Sequence, residues 1–363
     1  MPIRRIAINT GGGDAPGLNA VIRAAVLAAM NRGWQCFGVR DAFRGLMMPD
    51  DYPDGWLTPL TRDSVRDITH LGGTIIGTTN KGNPLKFPTV DSEGRTVVVD
   101  RSDEIIAAFK EEGLDALIAI GGDGSLNLAR VLYQKGLRII GVPKTIDNDL
   151  DETVITFGFD TAVHFATECL DRLRSTAAAH QRVMVVEVMG RYAGWIALNA
   201  GVAGAADVIL MPEIQYDIDK VAAKINERTR QGRHFALVVV AEGARPRGGD
   251  FSWLQKATEK LGGIGQKVGE AVEQLTGKET RVVRLGHLLR GGTPTSFDRL
   301  LSLRFGAAAV RALEEGESGI MVALDPPTVR YVSLEQVIAH LKTVPLDCDT
   351  MLTARDLGIS FGD

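Results

Sequence analysis

Short apolar runs recur along the chain and alternate with stretches in which apolar residues return at helical spacing. The runs predict strands at Arg5–Thr10, Gln35–Arg40, Ala116–Ile120, Arg138–Val142, Val183–Val188, Asp207–Leu210, Ala236–Ala241, Arg281–Leu285 and Ile320–Ala323. Between them the spacing predicts helices at Leu18–Arg32, Ser102–Glu112, Ser125–Lys135, Thr161–Thr176, Ile218–Arg230, Gly265–Leu275 and Ser296–Glu314. Strand and helix in alternation give an α/β chain with parallel sheet covered by helices. The most membrane-like stretch, Trp195 to Met211, carries Asn199, Asp207 and glycines. It reads as a core helix followed by a strand.

Length and composition narrow the class. At 363 residues the chain is long enough for two or three compact units or one large α/β unit. A hydrophobic fraction of 45% with 24% charged residues is that of an ordinary soluble globular protein. The net charge of −4 gives no general affinity for nucleic acid or an acidic membrane, so an anionic ligand needs locally concentrated positive charge. The 3 cysteines, Cys36, Cys169 and Cys348, lie far apart, which argues against a disulfide framework or zinc site and fits a reducing cytoplasm. The start, MPIRRIAINTGGG, has almost no apolar core of the signal-peptide kind.

In parallel α/β sheets the carboxyl ends of the strands form the ligand crevice, so the turns that follow them carry the chemistry. "NTGGGDAPGLNA", Asn9–Ala20, follows the first strand and opens a helix, where free N–H groups favour a phosphate. Two other readings of it stand: a dinucleotide-binding turn with Asp41 as ribose acid, or a tight turn with Asp14 capping the helix. In "IGGDGS", Ile120–Ser125, the glycines admit a phosphoryl group, Asp123 can hold Mg2+ or its water, and Ser125 can cap the next helix. That pattern also resembles NAD kinases and lipid kinases, and points to phosphoryl transfer without naming the acceptor. "PKTIDND", Pro143–Asp149, sets Asp147 and Asp149 two residues apart; an extended turn would point both carboxylates to one side, one to take a hydroxyl proton and the other to orient it or the metal. Arg182 in "HQR", Met189, Gly190 and Arg191 in "EVMGRYAG", Glu242 in "AEGA", and Arg281, His287 and Arg290 in "RVVRLGHLLRGG" add cations suited to a phosphate and a carboxylate suited to a hydroxyl.

Taken together and in this order, "GGDGS", "TIDND", "EVMGRYAG" and "LGHLLRGG" closely resemble the phosphofructokinases, over about residues 1–345. The resemblance implies two α/β lobes with mainly parallel sheets: residues 1–158 and 290–338 as a nucleotide-binding lobe, 159–289 and 339–363 as a sugar-phosphate-binding lobe. It implies phosphorylation of fructose 6-phosphate at its 1-hydroxyl. Asp147 would be the base, with Gly13 and Lys144 also at the reacting phosphate. Gly12, Gly13, Asn80, Lys81 and Gly122, Asp123, Gly124 and Ser125 would hold ATP, with Asp123 as the Mg2+ anchor. Thr145, Asp147, Asp149, Met189, Gly190, Arg191, Glu242, His287 and Arg290 would hold the sugar phosphate. Arg182 and Arg281 would reach in from a neighbouring subunit, which implies a homodimer or homotetramer.

The chain departs from the regulated bacterial ATP enzymes of that family. Where they carry an arginine after "GGTxxGSS", it has Asn80 with Lys81 beside it, so the transition-state cation is Lys81, Lys144 or both. Leu128 stands where they have a small glycine under the adenine. The family's pyrophosphate-using branch pairs a lysine at position 144 with an aspartate at 124; here Lys144 is present but Gly124 is kept. The lysine can neutralise either donor, whereas the carboxylate is the excluding element, so ATP is the expected donor and pyrophosphate the alternative. An NAD-dependent oxidoreductase leaves the acid pair and the strand-end cations unexplained, and a dead regulatory subunit would not need Asp123, Asp147 and Asp149 together.

Overall fold

The computed structural model describes residues 3–256 and 260–363. The chain divides into two compact units: Met1–Thr145 with Leu150–Gly158 and Arg290–Leu341, and Ile146–Asp149 with Phe159–Leu289 and Lys342–Asp363.

The first unit is built on a seven-stranded sheet in the order Thr328–Ser333, Ile320–Asp325, Ile139–Pro143, Ala116–Gly121, Arg5–Thr10, Gln35–Val39, Leu57–Leu60. The inner pairings are parallel and only the two edge strands run antiparallel. Successive strand residues face opposite sides of a sheet. Ile6, Ile8, Ile118 and Ile120 accordingly pack on one side with the helices Leu18–Met30 and Ser296–Glu315, through Leu18, Ile22 and Phe305. Ala7, Leu117 and Ala119 pack on the other with Phe109 and Leu126 of the helices Ser102–Glu111 and Asp123–Gln134. Both faces are covered, which is why these strands read as unbroken apolar runs. Gly306 lets the first helix pair close up, since a Cβ there would lie 2.4 Å from the Val21 carbonyl oxygen.

The second unit carries a four-stranded, all-parallel sheet in the order Thr280–Arg284, Val183–Val188, Ala236–Ala241, Val208–Leu210. Val183, Val185, Val238 and Val240 form a core with Val221 and Ile225 of the helix Ile218–Arg230 and Val268 and Val272 of the helix Ile264–Thr276. The stretch from Trp195 is the helix Trp195–Ala203 and then the strand Val208–Leu210, as its polar residues predict. Among the described residues, no helix is long and apolar enough to cross a membrane.

Elements that the apolar pattern does not predict are short or lie at edges. The edge strand Leu57–Leu60 has three of its four residues partly or fully exposed, and the hairpin Phe87–Val90 with Thr96–Val99 has no buried residue. Neither carries a buried stripe for the sequence to show. The helix expected from Ser125 begins at Asp123, with Gly122 as its N-cap and no side-chain cap. Ser125 is therefore inside the first turn and does not cap it. The helix expected at Thr161–Thr176 runs from Phe159 to His180.

Candidate active site

Three glycine- or lysine-bearing turns of the first unit meet because their strands are parallel neighbours: Arg5–Thr10 beside Ala116–Gly121, and that beside Ile139–Pro143. The Gly11 N–H donates to the Ile120 carbonyl at 3.0 Å, and the Lys144 N–H donates to the Gly121 carbonyl at 3.0 Å. Ser125 wedges between the turns. A Cβ on Gly121 would lie 2.2 Å from the Ser125 Cβ, and one on Gly11 would lie 2.5 Å from its Oγ, so no side chain fits at either glycine. Gly12 is left-handed, with φ of 81°. Its N–H donates to the Thr79 carbonyl at 3.1 Å and its carbonyl accepts from the Thr78 hydroxyl at 2.7 Å. These bonds hold beside it the segment that carries Asn80 and Lys81, both exposed.

Two cations flank this first turn. The buried Lys144 ammonium donates to the Gly13 carbonyl. Arg290 donates from Nη1 to the Asp14 carbonyl at 3.1 Å, and a Cβ on Gly13 would sit 2.9 Å from that nitrogen. Asp123 and Gly124 stand exposed at the helix start, and a Cβ on Gly124 would meet nothing within 4 Å. Free N–H groups of a first helical turn, two nearby cations and glycines that expose the backbone make an anion cradle. Thr145 is buried here, its carbonyl accepting from the Thr156 hydroxyl at 2.7 Å.

The acids belong to the second unit. Asp147, Asn148 and Asp149 are all buried. Asn148 has φ of 52°, so the turn is not the extended one expected from the alternating spacing. Asparagine tolerates this left-handed conformation better than most residues, and that is what bends the chain between the two carboxylates. Glu242 follows the strand Ala236–Ala241, its N–H bonded to the Val188 carbonyl at 2.9 Å and its Oε1 accepting from the Arg191 N–H at 3.1 Å. Burial, and then the negative charge of Asp147, push the Glu242 carboxyl up to about 7, against the pull of the Arg191 N–H. Arg191 is left-handed at φ 51° and exposed; a Cβ on the preceding Gly190 would lie 2.5 Å from the Ala193 carbonyl oxygen. Met189, partly buried, follows the last residue of the strand Val183–Val188, just before them.

Arg182 and Arg281 share a partner that the sequence reading missed. Arg182 Nε pairs with Glu279 Oε2 at 2.6 Å, and Arg281 Nη2 pairs with Glu279 Oε1. The Arg182 hydrogen bond holds the Glu279 carboxyl below its ordinary range. The signal was present in "KETR": Glu279 and Arg281 are two apart at the start of a strand, and so share a face. His287 is exposed in the short 3-10 turn Gly286–Arg290 and belongs to the second unit, whereas Arg290 belongs to the first.

The profile of the family described as Phosphofructokinase matches residues 5–313, and the chain belongs to that family. It is 52% identical over 362 residues to a protein of Chloroflexus aurantiacus named ATP-dependent 6-phosphofructokinase, covering 99% of this chain and 98% of that one. It is 47% identical to a protein of Amycolatopsis methanolica named pyrophosphate–fructose 6-phosphate 1-phosphotransferase, covering 94% of this chain and 96% of that one. Among solved structures, a phosphofructokinase from Saccharomyces cerevisiae is similar with a TM-score of 0.78 at 29% identity, over 99% of this chain and 48% of that one. The chain thus spans about half the length of that yeast chain.

Proposed function

We propose that this chain is an ATP-dependent 6-phosphofructokinase, transferring the γ-phosphoryl group of ATP to the 1-hydroxyl of fructose 6-phosphate. The observation that carries the choice of donor is the open helix start at Gly124, where nothing lies within 4 Å of a Cβ position. In this reading the chain of a donor longer than two phosphates passes Gly124 without facing a carboxylate at that position. The second reading, pyrophosphate as donor, is supported by the buried Lys144, which suits either donor, and by the Amycolatopsis relative.

In this reading the Gly12 turn, the Gly13 N–H and the N–H groups of the Gly122–Ser125 helix start line the donor phosphates, with the Gly12 N–H itself spent on the Thr79 carbonyl, and Lys144 offsets charge at the group in transfer. Lys81 and Asn80 lie on the segment bonded to Gly12 and add a second cation and a donor. Asp123 supplies a hard carboxylate oxygen, and among the described residues no cluster of three or more His, Cys, Asp or Glu could form a dedicated metal cage. One carboxylate with phosphate oxygens and waters suits Mg2+, which would neutralise phosphate charge. Asp147 takes the proton of the sugar hydroxyl, with Thr145 and Asp149 beside it. Met189, Gly190, Arg191 and Glu242 contact the sugar, and His287 and Arg290 its 6-phosphate. Arg182 and Arg281 serve the site of a neighbouring copy in a homodimer or homotetramer, exchanging Glu279 for phosphate.

The test is a coupled assay of fructose 6-phosphate with ATP and, separately, with pyrophosphate, both with Mg2+. Turnover with ATP at a kcat/KM well above that with pyrophosphate is expected. Preference for pyrophosphate would replace the first reading by the second, and no turnover with either would overturn both.

A further inference from the structure

Lys342 to Val344, outside every motif described above, touches the turn of Asp147 and Asp149 and, through Glu213, the start of the helix Trp195–Ala203. The Lys342 N–H donates to the Asp149 carbonyl at 3.0 Å, and its ammonium donates to Asn148 Oδ1 at 3.3 Å. The Lys342 carbonyl accepts from the Trp195 indole N–H at 3.1 Å, and the ammonium lies 5.2 Å from the centre of that ring. Two residues on, the Val344 N–H donates to Glu213 Oε1 at 2.9 Å, and the same oxygen accepts from the Gly194 N–H at 2.9 Å. Gly194 is the N-cap of the helix Trp195–Ala203, three residues after Arg191. A short strap therefore ties the turn of Asp147 and Asp149 to the turn of Gly190 and Arg191.

The tether falls on the conformationally awkward residue of the acid turn. Asn148 is held left-handed, a conformation that costs a non-glycine residue free energy and persists where surroundings over-determine it. Lys342 engages its side chain and the carbonyl of the next residue, fixing the bend from both sides. A catalytic group displaced by about 1 Å loses about a hundredfold in rate, so a residue that sets this bend matters to turnover without touching substrate. Glu213 anchors the far end. Its carboxyl is buried, which raises its pKa, and a Cβ on Gly194 would lie 2.7 Å from its Oε2, so the helix start is packed against it.

We infer that Lys342 is a positioning residue for phosphoryl transfer: through Asn148 and the Asp149 carbonyl it holds the direction of the Asp147 carboxylate. The inference rests on the reading of Asp147 as the base.

The experiment measures kcat, KM for both substrates and Tm for wild type, Asp147→Asn, Lys342→Met and Lys342→Arg, with fructose 6-phosphate and ATP. Lys342 is only partly buried, so its replacement by Met is compatible with folding. The expected result is a fall in kcat of about 10- to 100-fold for Lys342→Met with KM for ATP unchanged, and recovery to within a few-fold in Lys342→Arg. Should Lys342→Met not fold, Lys342→Ala removes the ammonium and leaves no side-chain donor for Asn148, and the same kcat reading decides. If Asp147→Asn loses turnover while the folded Lys342 variant keeps kcat within about twofold, or Lys342→Arg is no better than Lys342→Met, the positioning role is wrong and the base stands. If Asp147→Asn keeps its kcat, the base reading falls and the role of Lys342 falls with it.

Discussion

The two units approach their ligand chemistry by opposite means. In the first, the candidate groups are main-chain amides exposed by glycines, and the tight contacts are backbone to side chain: Ser125 against Gly11 and Gly121, Lys144 and Arg290 against the Gly13 turn. In the second, they are carboxylates held in a low-dielectric setting, with Glu242 raised to about 7 by burial and by Asp147. A cradle of amides has a charge preference that no pH between 5 and 9 alters, because amides do not titrate there. A cluster of carboxylates has charges that respond to one another. Changes in the first unit should therefore act by shape and fixed charge, and changes in the second by protonation.

Asp147→Asn tests the second half of that contrast most severely. It keeps size and removes the charge, so kcat should fall about 10²–10⁴-fold, the usual worth of a positioned base, with the fold intact by circular dichroism. The same change removes one cause of the raised Glu242 carboxyl, which should titrate at lower pH in the variant. A kcat near that of wild type would mean that the second unit's acids only bind.

Gly124→Asp tests the first half. Gly124 is the second residue of the helix Asp123–Gln134, and a Cβ there meets nothing within 4 Å. An aspartate in a first turn complements the helix dipole, and replacing a helical glycine adds to that, so stability should hold or rise by about 0.5–1 kcal/mol. The same carboxylate opposes an anionic donor. Loss of about a hundredfold in kcat/KM for ATP, worth about 2.7 kcal/mol, is expected, with pyrophosphate use kept or gained. Because the variant should be no less stable, lost ATP use cannot be ascribed to unfolding. Unchanged ATP preference would show that phosphates do not pass Gly124.

This contrast also decides what could be read from the chain. The glycine turns were legible because backbone demands restrict residue type: a side chain at 11 or 121 would run into Ser125, and the strings NTGGG and GGDGS carry those glycines openly. The central strands were legible because both their faces are buried. The side-chain half was harder. "TIDND" named the acids and the asparagine that tolerates the bend, but the Lys342 bond to Asn148 comes from nearly two hundred residues away in sequence, and no local pattern encodes it. Glu279 belongs to none of the four motifs, although it clasps two of the arginines assigned to phosphate.

Those arginines give the next, smaller effect. Arg182→Ala should raise KM for fructose 6-phosphate about 10- to 100-fold, the worth of one hydrogen bond to a charged group, with kcat less affected. Glu279→Gln should lower that KM by no more than about fivefold, since an ion pair open to solvent contributes little. Mixing Asp147→Asn with Arg182→Ala subunits should restore activity if the arginine serves a neighbour's site, because hybrids contain sites with both residues intact. A mixture no more active than its parents, with subunit exchange demonstrated, would confine Arg182 to its own chain.

The smallest effect is the most specific to the second unit, because only a titrating group produces it. The Glu242 carboxyl has an ordinary value of 4.5 and is raised to about 7 in the folded chain. The folded protein thus holds this proton more tightly than the unfolded one. Its contribution to stability is complete below about pH 4.5 and is lost as pH rises through about 7. Glu242→Gln carries no charge to bury, so it should raise Tm more at pH 8 than at pH 5. Binding runs the other way: the carboxylate is the stronger acceptor for a sugar hydroxyl, and one pH unit below its pKa only about a tenth of it is ionised. Wild-type KM for fructose 6-phosphate should therefore rise as pH falls from 8 to 6, by up to about tenfold, while Glu242→Gln shows a higher KM that changes less with pH. KM curves of the same shape in both proteins would move the titration to another group and leave Glu242 as a structural partner of the Arg191 N–H.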